Sequence, residues 1–140
     1  MSSTGVHSGI YGAAVARMAQ AMLTALGGDT ITVQFPAAQL PNDPSAQLGL
    51  VDPGTVEIQF SPVVARNLPQ PASGARKKME FLISASSIAD ALISQSAANA
   101  EALFASAIAV LYDGDTYHVE NLTMETFAGI EYLYHLTAVE

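Results

Sequence analysis

Apolar residues recur at three- and four-residue steps through GIYGAAVARMAQAMLTALGG. Ile10, Ala14, Met18, Ala21, Met22 and Ala25 form one stripe, which predicts a helix from Gly9 to Leu26 stopped by Gly27 and Gly28. Arg17 and Gln20 fall towards its wetter side. Residues 1–8, polar and Gly-containing, are expected to be a flexible N-terminal arm. DTITVQFPA then switches to a period of two, with Ile31, Val33 and Phe35 on one face and Pro36 as the stop. TVEIQFSPVVA repeats the alternation through Val56, Ile58 and Phe60. Pro62 predicts an edge or a break there, because proline cannot donate to a strand ladder. MEFLISAS predicts a strand from Lys77 to Ala85, after which Ile88, Ala91 and Leu92 fit a helix as well as more strand. SAANAEALFASA, from Ser96 to Ala107, predicts a short helix with Ser96 or Asn99 as its N-cap.

Between these elements lie two long aperiodic stretches. Residues 37–54 hold three prolines and two glycines, and residues 66–76 form a second loop. A loop as long as 37–54 inside a domain is usually functional or disordered, not a mere connector.

The last third reads as strands. DGD is a turn signal: Gly114 takes positive φ without a steric cost, and Asp113 and Asp115 can bond to nearby backbone. It predicts a strand near Ile108–Tyr112 joined to one near Thr116–Met124. A four-residue turn around Glu125–Ala128 would lead to a strand over Gly129–Val139. That turn length pairs Thr123 with Ile130, Asn121 with Tyr132, Val119 with Tyr134 and Tyr117 with Leu136. Tyr117, Val119, Ile130, Tyr132, Tyr134 and Leu136 then share a face, read as sheet core in preference to an aromatic ligand platform.

On the other face the same count sets His118 against His135 and Glu120 against Leu133, with Glu131 further along. Two imidazoles and a carboxylate can bind zinc or iron, so His118, His135 and Glu120 are the candidate metal ligands. A solvated polar face outweighs that reading, and the DGD segment lacks the spacing of a calcium loop. No phosphate-binding glycine motif or GxSxG elbow is present. His7 lies in the arm, and Ser84, Ser86 and Ser87 lack a readable base partner. No catalytic residue and no cofactor are therefore assigned.

Composition narrows the function classes. Only 13% of the 140 residues are charged while 50% are hydrophobic, which suits a surface covered by neighbours. Thirteen acids against five basic residues give a net charge of −8, which disfavours a nucleic-acid clamp; Arg76-Lys77-Lys78 is the one basic cluster. An acidic surface remains suited to a passage that DNA crosses without being gripped. With no cysteines, disulfides and thiolate chemistry are excluded. The N-terminus lacks a signal pattern, and no apolar run approaches the roughly 20 residues of a membrane span, so a soluble intracellular protein is expected.

The layout of the last 65 residues or so, from KKMEFLISAS through the Ala-rich helix to AVLYDGDTYHVENLTMETFAGIEYLYHLTAVE, resembles the neck proteins of tailed bacteriophages and prophages. The pieces that carry it are Tyr112, Gly114, Tyr117, Val119 and the strand Ile130–Val139. The resemblance is to the head-closure or head–tail joining family. It implies a small antiparallel β-barrel or curved sheet; with the N-terminal helix and the short Ala-rich helix read above packed on it, the expected fold is α+β, a single domain over 9–140. It further implies a non-enzymatic virion protein that forms a homo-oligomeric ring between portal and tail proteins, with DNA passing through and no membrane contact. The long opening helix departs from that family and keeps a tail-completion or tail-terminator protein as the alternative. The two loops become the expected docking segments: Pro41, Asp43, Pro44, Leu48, Leu50 and Pro53 in the first, Leu68, Pro69 and Pro71 in the second.

Overall fold

A sheet with one apolar face must bury it, and this one does so by closing on itself. The computed structural model describes residues 4–37, 54–69 and 76–140, with the side chains of the first helix described from Ala13 onward. The chain runs α1 (Thr4–Ala25), β1 (Asp29–Pro36), β2 (Thr55–Leu68), β3 (Lys78–Ser84), α2 (Ala85–Ser94), α3 (Ala100–Ala105), β4 (Ala109–Tyr112), β5 (Asp115–Phe127) and β6 (Ile130–Val139). The six strands form a closed antiparallel barrel in the order β1-β2-β3-β6-β5-β4. The α+β barrel expected from the sequence is therefore the observed fold.

Period-two alternation fills the barrel. Ile31, Val33 and Phe35 of β1 and Met79, Phe81 and Ile83 of β3 all point inward and are buried. Phe81 packs edge-on against Tyr112 and Tyr117, with ring centroids 5.4 and 6.2 Å away. Phe60 meets Phe35 at 6.4 Å and Phe104 of α3 at 5.8 Å. Ile88, Ala91, Leu103 and Phe104 of α2 and α3 belong to the same core, so the two short helices complete it from outside the strands. Asn99 caps α3, its side chain accepting from the Ala102 N–H at 2.8 Å; Ser96, the other expected cap, does not serve.

Strand β2 runs on through Pro62, and the break expected there takes the form of a bulge and a change of partner. The strand pairs with β1 up to Val63 and with β3 from Val63 onward, and a bulge falls between Phe60 and Val63. Pro62 sits at that handover, where its missing N–H leaves no ladder position unfilled. The bulge also explains why apolar residues 60 and 63, three apart, are both buried.

Three boundaries differ from the sequence reading. Helix α1 begins at Thr4, so residues 4–8 are helical where an arm was expected. Arg66, Asn67 and Leu68 are strand, paired with Glu80, Met79 and Lys78, which shortens the second loop. Segment 85–94 is helix, resolving the open choice there. Most of the loop over 37–54 lies outside the described residues.

The register of β5 against β6 is the main correction. The turn is Ala128–Gly129, two residues long, with φ of 52° and 79°. Phe127 pairs with Ile130, Met124 with Tyr134, Leu122 with Leu136 and Val119 with Ala138, with bulges between Val119 and Asn121 and between Glu125 and Thr126. Tyr117, Tyr134 and Leu136 are core residues as expected and Val119 packs partly buried against them, but Ile130 and Tyr132 lie outside the core cluster.

Candidate functional site

The corrected register takes the candidate metal trio apart. His118 pairs with Val139, and its Nδ1 lies 3.2 Å from the Ile108 carbonyl. His135 sits between Thr123 and Leu82, four positions from Val139 along β6, or about 13 Å at strand rise. Glu120 accepts from Lys78 Nζ at 2.8 Å. Among the described residues no group of three or more histidines and carboxylates is placed to hold a metal ion.

His135 belongs to a different arrangement, a polar row across the outer face of four strands. Its Nδ1 lies 3.6 Å from Glu80 and its Nε2 3.6 Å from Glu125. Arg66 of β2 pairs with Glu80, and the Tyr132 hydroxyl donates to Glu125 at 3.2 Å. Alternation places Arg66, Glu80, His135 and Glu125 outside the barrel, and Tyr132 joins them where the bulge between Glu125 and Thr126 interrupts the alternation of β6. This row links four strands by surface polar contacts, and its Glu125–Tyr132 end borders a hollow between α1 and the β5–β6 hairpin.

Among the described residues, hollows open on the surface in at least two places. One, about 290 Å³, lies between α3 and β5 and is lined by Glu101, Phe104, Glu120 and Asn121 among others. The second, about 360 Å³, lies between α1 and the β5–β6 hairpin. Val15, Met18 and Met22 form its helical wall, and Phe127, Tyr132 and Leu133 form its strand wall. Its mouth is apolar and open: Met18 is 70% exposed, Met22 44% and Phe127 46%.

The helix geometry explains this exposure. Ala19 and Leu23, one turn apart, are the buried residues among the described side chains of α1, which rests on β2, β3, β6 and α2. Met18, Ala21, Met22 and Ala25, expected to form the packed stripe, are exposed instead. Helix α1 is apolar nearly all round, with Arg17 its only Lys, Arg, Asp or Glu. Either side could have packed, and the sequence stripe selected the outer one. Helix α2 continues the layer: Ile88 and Ala91 face the core while Ala89, Asp90 and Ile93 face out, Ile93 being 79% exposed. Residues of this outer layer were not singled out from the sequence as a surface; the uniform apolarity of α1 was the available signal.

At the far end of the barrel, Lys77 lies 3.6 Å from Asp115 and the Tyr112 hydroxyl donates to Asp29 at 3.1 Å. Burial, with that bond, raises the Tyr112 pKa above its ordinary value. Burial, with a 2.8 Å bond to Glu131, raises that of Tyr134 as well. Of the expected docking residues, Leu68 ends β2 and is half-buried, and Pro69 is exposed. Pro41, Asp43, Pro44, Leu48, Leu50, Pro53 and Pro71 lie outside the described residues.

No family model, curated protein or solved structure matches the chain. Among the described residues no helix is long and apolar enough to cross a membrane.

Proposed function

We propose that this chain is a structural subunit that works by assembly, forming a ring at the head–tail junction of a tailed phage between portal and tail proteins. The observation that carries the assembly reading is the outer helical layer, where Met18, Met22 and Ile93 stand exposed on a chain with only 13% charged residues. Large exposed apolar groups gathered on one layer favour an interaction surface over a solvated one. The phage-neck assignment rests on the sequence resemblance, and the closed barrel is compatible with it. Phenylalanines and tyrosines fill the barrel interior, so DNA would cross between copies around the ring and never through one barrel. The net charge of −8 suits such a passage, since it repels phosphate.

Light scattering coupled to size exclusion, followed by negative-stain imaging, tests the reading. Closed rings of one stoichiometry are the expected result. A monomer at millimolar concentration, with no ring in the images, refutes it.

A further inference from the structure

The two outer helices carry opposite lone charges. Arg17 is exposed on α1 one residue before Met18, and Asp90 is exposed on α2 three residues before Ile93. Among the described residues neither takes part in a salt bridge; of the other basic residues Arg66, Lys77 and Lys78 are each engaged by an acid, and Arg76, outside the helical layer, is not. Each lone charge therefore flanks an exposed apolar side chain, Met18 with Met22 beyond it on α1 and Ile93 on α2, and small residues, Ala21, Ala25 and Ala89, stand exposed beside them. Small outward residues let two helices approach closely, and a helix apolar all round is normally covered all round. A molecule with a net charge of −8 repels its own copies unless the contact places cation on anion. The surface that meets this requirement is present on the chain itself.

We propose that the α1–α2 layer is the contact between copies of this chain, with Arg17 of one copy paired to Asp90 of its neighbour and Met18, Met22 and Ile93 covered between them. The contact rests on the reading of the chain as an assembling subunit and names the surface that assembles. It needs no particular symmetry: α1 against the neighbour's α2 can repeat around a ring or be reciprocated across a two-fold axis.

Charge exchange tests it. Arg17→Glu and Asp90→Arg are each expected to raise the dissociation constant by about tenfold or more, and the double variant to restore association. Met18→Ser and Ile93→Ser are expected to weaken assembly as well. Sedimentation at fixed salt reads the association, and circular dichroism checks that each variant folds. If the wild-type chain assembles but single reversals leave its association unchanged, this contact is overturned while the assembly reading stands. Single reversals that weaken association without rescue in the double variant also overturn the pairing. A wild-type chain that stays monomeric sinks both. A two-fold dimer that responds to charge exchange upholds the contact and removes the ring.

Discussion

Tyr117 is the largest fully buried side chain among the described residues, and its hydroxyl has no hydrogen-bond partner of normal geometry among them. Replacing it with phenylalanine keeps the ring against Phe81, 6.2 Å away, and removes only the oxygen. A buried hydroxyl without a partner costs about 1–3 kcal/mol relative to its hydrated state. The Lys77 ammonium is near enough for this hydroxyl, ahead of Asp115, to raise its pKa, so part of that cost is offset. The net gain expected for Tyr117→Phe is therefore at the low end, about 1 kcal/mol. For a domain of this size that corresponds to a rise in Tm of about 4 °C. Urea unfolding by circular dichroism, at fixed protein concentration, should show a later midpoint with an unchanged slope. A loss of about 1 kcal/mol or more would show that the hydroxyl is well bonded and refute the reasoning. Pairing the variant with Lys77→Ala in a double-mutant cycle would then identify the partner.

Two further outcomes follow from the turn and the tyrosines. Ala128 holds φ at 52°, a region that costs an L-residue about 1–2 kcal/mol, so Ala128→Gly is expected to gain up to about 1 kcal/mol after the glycine's extra unfolded-state entropy is counted; a lower Tm for Ala128→Gly would overturn the two-residue turn. Tyr134 has its pKa raised by burial and by Glu131, so the folded chain keeps a proton that the unfolded chain loses above pH about 10. Stability on this account is fully present below that pH and falls as pH rises above it, and Tyr134→Phe should flatten the fall; identical urea midpoints for both proteins from pH 9 to 11 would contradict it.

Local chemistry decided more of this protein than its pairings. Ile31, Val33 and Phe35 announce their strand by period alone, and Asn99 announces its cap, because neighbours along the chain settle both choices. The DG turn at Asp113–Gly114 was legible for the same reason, since glycine accepts positive φ. Ala128–Gly129 makes an equally tight turn, yet alanine is a poor marker for that conformation, so the sequence suggested a longer loop there. Moving the turn re-paired every residue of the hairpin and separated His118 from His135. A trace of the true register was present: apolar residues 117, 119, 122 and 124 step by two, three and two, and the gap of three is a bulge. The barrel's closure, and which side of α1 turned outward, came only with tertiary structure. A helix apolar all round has no preferred face of its own, and the sheet it lands on chooses one by burying Ala19 and Leu23 and leaving Met18 and Met22 in water.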